Sequence, residues 1–166
     1  MIIFETERLR IRHFTIHDAD NYFALQSNAD VMRYIRPPRT REESDSFLKD
    51  KILATPADDY KGIWLVEKKE GGQFLGCFVI IPIPDDESKT QLGYSFLPEH
   101  WGNGYATEVT KEGVNYFRKR TPLNKIYGVT EVPNVASQKV LLKAGFTFHK
   151  SKMEGERELW VFIMRK

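Results

Sequence analysis

One cysteine, four histidines and no apolar run of membrane-spanning length are what this 166-residue chain has little of, and each shortage removes a class of function. Cys77 sits inside the apolar run Phe74-Leu75-Gly76-Cys77-Phe78-Val79-Ile80-Ile81, where a lone thiol forms no internal disulfide and reads as a small buried hydrophobe. The histidines show no metal-ligand spacing, so no metal is expected. Met1-Ile2-Ile3-Phe4-Glu5-Thr6-Glu7 lacks the long apolar core of a signal peptide, and no segment reaches spanning length, so a cytoplasmic protein without a membrane partner is expected. Charge of one sign is missing too. Lys and Arg number 25 against 23 Asp and Glu, a net +2, far from the dense basic face a nucleic-acid binder needs and compatible with an anionic cofactor. No repeat, low-complexity stretch or linker divides the chain, so residues 1–166 are expected to form one domain around one core.

What is present is concentrated in Pro98-Glu99-His100-Trp101-Gly102-Asn103-Gly104-Tyr105-Ala106-Thr107-Glu108, which follows a strand-like segment and opens an amphipathic helix. Glycine lets backbone N–H groups approach an anion, and the first helical turn leaves such donors unpaired with partial positive charge behind them. A phosphorylated cofactor is the ligand such a cradle suits, although a glycine pair between strand and helix also serves simply to turn the chain. The run lacks the Gly-Lys-Ser/Thr ending of a Walker loop. Its spacing, Gly102, Gly104 and Ala106, is too compressed for a dinucleotide fingerprint.

Leu9, Ile11 and His13 alternate with arginines as a first strand. Asp18 is placed to cap a helix carrying Ala19, Tyr22, Phe23 and Leu25. A short helix with Val31, Met32 and Tyr34 should end at Pro37-Pro38, and Thr40-Arg41-Glu42-Glu43 reads as a capping box for a helix through Ile52. Strands are expected at 62–68, 73–81 and 89–96, with a polar loop over 84–88. A helix follows from Ala106 through Phe117, then a strand at 125–131, a helix at 134–144 ended by Gly145, and strands at 146–152 and 157–164. The order is β-α-α-α-βββ-α-β-α-ββ, an α/β (α+β) class with about seven strands.

Asn134 stands where a helix N-cap belongs, with Ser137 one turn inside, in Asn134-Val135-Ala136-Ser137-Gln138-Lys139. Taken with the glycine turn, the chain resembles the GNAT acetyltransferase superfamily, in particular its ribosomal-protein N-terminal acetyltransferase (RimJ/RimL-like) branch. The likeness is carried by Thr6-Glu7-Arg8-Leu9-Arg10-Ile11-Arg12, by Asp30-Val31-Met32-Arg33-Tyr34-Ile35, by Gly93-Tyr94 together with the glycine turn, and by Asn134 through Phe146. The resemblance implies a mixed, mostly antiparallel sheet splayed between the strands at 89–96 and 125–131, with acetyl-CoA in the opening. It implies pyrophosphate held by backbone amides of Gly102, Asn103, Gly104, Tyr105 and Ala106, flanked by Trp101 and Thr107. A strand bulge would free backbone groups of Phe96 or Leu97 for the cofactor's arm, Asn134 would meet that arm from the opposite wall, and Lys139 would reach the nucleotide phosphates.

The activity so implied is acetyl transfer from acetyl-CoA to a primary amine, of a protein N-terminus or a small molecule, without a covalent enzyme intermediate. Ser137 matches the position beside the departing sulfur. Where many members of the family carry a glutamate this chain has Gln91, which cannot accept a proton as a carboxylate does but can hold a relaying water. A non-catalytic acyl-CoA-binding sensor or assembly module on the same fold is the alternative. Residues 16–54 should form one side of the acceptor site, edged by Arg33, Arg36, Arg39 and Arg41: either a selector of acidic acceptors or a solvated loop. The expected state is monomer or homodimer.

Overall fold

The computed structural model describes residues 1–166. The chain enters on a strand that hydropathy alternation does not mark, β1 (Ile2–Glu5), paired antiparallel with β2 (Leu9–Arg12). The Phe4 ring holds it there, edge-on to Phe78 at 5.7 Å and tilted against Tyr116 at 5.4 Å. The sheet therefore has eight strands where about seven are expected.

Three short helices follow: α1 (Ala19–Gln26), α2 (Ala29–Met32) and α3 (Arg41–Phe47). Asp18 precedes α1 but does not cap it. Its carboxylate turns back, accepting from Thr15 N–H at 2.7 Å and from the Arg12 guanidinium at 3.0 Å, so a charged pair fastens the helical layer to β2. The Thr40 and Glu43 capping box forms, with both reciprocal bonds present. Past Phe47 the helix widens into one π turn, Leu48–Ile52, which keeps Leu48 and Ile52 both buried. α2 stops at Met32, before Pro37-Pro38 is reached.

β3 (Gly62–Lys68), β4 (Phe74–Ile83) and β5 (Asp86–Phe96) make the antiparallel meander. The polar loop shrinks to Pro84-Asp85, because Asp86 to Lys89 continue as strand with an Asp86–Lys89 ion pair at 2.6 Å. α4 (Tyr105–Arg120) then crosses one face, so that β6 (Lys125–Glu131) lies parallel to β5. After α5 (Val135–Lys143), the hairpin of β7 (Thr147–Glu154) and β8 (Arg157–Arg165) places β8 between β6 and β7, giving the order β1-β2-β3-β4-β5-β6-β8-β7.

Each face of the sheet has its own core. Val109, Val114 and Phe117 of α4 and Leu141 of α5 pack on Phe78, Leu92 and Phe96, while Leu25, Met32 and Leu48 cover Leu65 and Cys77 on the opposite side. Burial pushes the Cys77 thiol up to about 12, as befits a packing residue. Strand alternation then fixes the two faces of β5: Leu92, Tyr94 and Phe96 look toward α4 and α5, and Gln91, Gly93 and Ser95 toward α1 to α3. No helix is long and apolar enough to cross a membrane.

Candidate active site

The sheet opens between β5 and β6. A single residue pair, Gln91 with Tyr127, joins these parallel strands, and past it they part. Leu97 N–H donates to Leu75 O at 3.0 Å on the β4 side. The register from Gln91 to Phe96 is unbroken, so ladder alternation turns the backbone groups of Tyr94 and Phe96 outward, into the opening. The expected free donor therefore falls on Phe96 and Tyr94 and not on Leu97, whose N–H is engaged. The strand irregularity lies elsewhere, between Pro82 and Ile83 at the other end of the β4–β5 pair.

At the open end sits the glycine turn. Gly102 and Gly104 hold φ of +77° and +79°, a left-handed conformation that L side chains avoid. Gly104 caps α4 with no side-chain bond. The backbone N–H groups of Gly102, Asn103, Gly104, Tyr105, Ala106 and Thr107 find no acceptor inside the protein; the first helical bond here runs from Glu108 N–H to Gly104 O at 3.1 Å. Such a run of free donors at the head of a 16-residue helix fits a pyrophosphate. Trp101 and Asn103 lock the turn: Trp101 Nε1 donates to Phe96 O at 2.8 Å, and Asn103 Nδ2 to His100 O at 3.0 Å.

The far wall is the start of α5. Asn134 Oδ1 accepts from Ser137 N–H at 3.3 Å, so Asn134 is the N-cap and its Nδ2 is the end left for a ligand. The two walls meet where the Tyr94 hydroxyl and Ser137 Oγ lie 3.1 Å apart. Burial pushes the Tyr94 phenol up to about 12, only partly offset by its bond to Ser137, so Tyr94 stays protonated and able to donate at neutral pH. Gln91 is half-buried on the opposite face of β5 at the last rung before the strands part. Lys139 is exposed on α5, and Glu99 is exposed beside the turn.

Two contacts escape sequence reading. The Gly-Tyr pair offers Tyr94 as a lining residue of the acceptor cleft, but its link to Ser137 spans 43 residues. Arg8 comes from the N-terminal segment: it pairs with Glu108 in the first turn of α4 at 2.7 Å, lies over the Tyr105 ring at 4.5 Å, and has Nη2 3.6 Å from where a Cβ on Gly104 would stand. Its only advance signal is the Thr6-Glu7-Arg8 run.

Comparison with known proteins agrees with this geometry. The family model described as acetyltransferase (GNAT) domain matches residues 8–147. An uncharacterized N-acetyltransferase of Bacillus subtilis, YoaA, is 32% identical over 145 residues, covering 87% of this chain and 82% of that protein. Among solved structures, the ribosomal-protein alpha-N-acetyltransferase RimL in complex with coenzyme A superposes with a TM-score of 0.83 at 16% identity, over 99% of this chain and 98% of that one. Spermidine N-acetyltransferase from Vibrio cholerae, in complex with CoA and spermine, superposes at 0.78 with 19% identity over 95% of both chains. With an acetyltransferase domain spanning most of its length, the chain belongs to the GNAT acetyltransferase family and is an acetyl-CoA-dependent acyltransferase.

Proposed function

We propose that the protein transfers an acetyl group directly from acetyl-CoA to a primary amine, with the amine arriving from the face of the sheet that carries Gln91. The observation that carries this is the parting of β5 and β6 directly between the free amides of the glycine turn and the Tyr94–Ser137 pair. Acetyl-CoA supplies a thioester already activated toward an amine, so the protein's task is to position the reactants and to move protons.

In this reading the amides of residues 102–107 hold the pyrophosphate, with Trp101 and Asn103 keeping the turn in shape. The outward N–H groups of Tyr94 and Phe96 receive the cofactor's arm in the manner of a missing strand, Asn134 Nδ2 meets it from α5, and Lys139 lies within the reach of a long side chain from the nucleotide. Ser137 donates a hydrogen bond to the departing sulfur while Tyr94 orients its hydroxyl. Gln91 holds a water through which the ammonium proton passes to bulk solvent, a relay that needs no carboxylate at that position.

Free-thiol release from acetyl-CoA, measured against a panel of amines with CoA binding by calorimetry alongside, tests this. Turnover above background with at least one amine class is expected. CoA binding without turnover over Ser- and Ala-starting peptides, amino acids, polyamines and aminoglycosides would remove the catalytic reading, and no CoA binding would remove the cradle.

A further inference from the structure

On the Gln91 side of the sheet a cavity of about 560 Å³ opens between the end of α2 and the end of β6. Arg33, Arg36 and Pro37 form one wall, Glu131 and Arg157 the other. Glu131 is the last residue of β6, the strand whose departure from β5 makes the opening. The cavity thus stands on the side from which an acceptor would approach.

Its charge is unbalanced. Glu131 is matched within the wall, since Arg157 Nη1 lies 3.4 Å from its Oε2. Arg41, just outside, is paired with Asp20 at 2.7 Å and Asp45 at 3.0 Å. Arg33 and Arg36 have no carboxylate partner, and Arg39 has only the longer-range charge of Glu43. Arg36 places Nη1 2.9 Å from the neutral Gln26 Oε1. Gln26 is buried, and its backbone carbonyl accepts from Arg39 N–H at 3.0 Å, so one residue fixes both arginines. Arg39 lies over the Phe47 ring at 3.8 Å, with a buried Nη1 that has no hydrogen-bond partner. Partial burial, and then the neighbouring Arg39 charge, lower the Arg36 pKa, while the residue as a whole remains exposed to the cavity.

Arg33 and Arg36 are exposed to the cavity and carry like charge with no acid against them, and beside them the buried Arg39 Nη1, left unpaired, calls for an explanation. Arg8 and Arg12, by contrast, are matched to acids. An anion from outside would complete the group here, and the planar guanidinium fork fits a carboxylate bidentately. Building on the acetyltransferase reading, we infer that this cavity receives a carboxylate of the acceptor, so that the substrate class is a primary amine bearing an acid group, with Arg33 and Arg36 as its partners. Such an amine is either a peptide N-terminus followed by acidic side chains or a free amino acid. A polyamine would meet like charge there.

The test is binding, by calorimetry with and without CoA, of an N-acetylated Ser-Asp-Glu peptide, its Ser-Lys-Lys counterpart, N-acetylglutamate and spermidine. These probes read the anion site without turnover. The acidic peptide or N-acetylglutamate should bind at least about tenfold tighter than the lysine peptide, and added salt should narrow the ratio. Peptide binding without N-acetylglutamate binding identifies the N-terminal source; comparable binding of both identifies the amino acid. In Arg33→Gln and Arg36→Gln the ratio should fall toward one. Arg33 has no partner in the protein, so its variant keeps the test independent of the Gln26 contact. Equal binding of acidic and basic peptides, tighter binding of spermidine, or a ratio that survives both substitutions would overturn the inference. CoA binding with no acidic preference removes the anion site alone, whereas acidic preference without CoA binding removes the acetyltransferase reading alone.

Discussion

Ser137 and Tyr94 share one hydrogen bond across the opening, and the roles proposed for them differ in a measurable way. Ser137→Ala should lower kcat by about a hundredfold, within the range of a lost proton donor, and leave the CoA Kd within about twofold. If Tyr94 acts through Ser137, Tyr94→Phe should cost less, and the double variant should be no slower than Ser137→Ala. Additive losses would show that Tyr94 acts on its own. Because the Tyr94 hydroxyl is held up to about 12, it remains a donor across the working range. Any alkaline limb of the rate profile below pH ~10 should therefore persist in Tyr94→Phe. Asn134, Ser137 and the glycine turn were legible in the sequence because each works within one helical turn of its neighbours. The Tyr94–Ser137 bond and the Arg8–Glu108 clamp were not, since both join residues far apart in the chain. The engaged Leu97 N–H depends on which side of β5 faces β4, and no motif encodes that parity.

At the scale of elements, α4 is held against the sheet through Gly113. A Cβ there would lie 2.3 Å from Cζ of Phe78, a ring with no exposed surface. Alanine for glycine in a helix interior ordinarily stabilises by about 1 kcal/mol. Here the clash should reverse the sign, so that Gly113→Ala lowers stability by about 1–2 kcal/mol in urea unfolding; a gain would mean the helix can lift without penalty. The fastening of β2 to the helical layer makes a second prediction. Burial would raise the Asp18 pKa, but the Arg12 guanidinium and the Thr15 N–H together outweigh it and hold the carboxyl below its ordinary value. A lowered folded-state pKa means that the contribution is complete above about pH 4 and disappears as pH falls through the folded value. Asp18→Asn should cost about 2 kcal/mol at pH 7, and the gap from the parent should close in acid; a gap that does not change with pH would remove the charge from the account. Strands with a clean apolar period, such as Gly62–Lys68 and Lys125–Glu131, stand where the sequence places them. β1 does not, because it owes its position to Phe4 meeting Phe78 and Tyr116. Asp18 reads as a cap for the same local reason and is taken by Arg12 instead.

At the scale of the whole molecule, the sheet is two pieces sharing one rung. β1 to β5 form one and β6 to β8 the other, joined at Gln91 and Tyr127. Alternation along the chain can identify each strand, but the insertion of β8 between β6 and β7 and the fissure beside β5 are properties of the assembled sheet, and only the fissure is foreseen, through the family resemblance. Past the shared rung, the outward backbone groups of Tyr94 and Phe96 have lost their sheet neighbour, and the amides of residues 102–107 have no acceptor at all. Such donors exchange readily with solvent. If CoA takes the place of the missing strand and its pyrophosphate the place of the missing acceptors, saturating CoA should slow exchange at Tyr94, Phe96 and residues 102–107 together. At a hundred times Kd, global stability should rise by about 2.7 kcal/mol. Amides of β3 that are paired on both sides should gain no more than that global increment, whereas those of the fissure should gain more, since they start from local opening. Protection confined to the glycine turn would place the pyrophosphate correctly but leave the fissure without its proposed occupant, and a uniform increment everywhere would mean that CoA binds elsewhere on the fold.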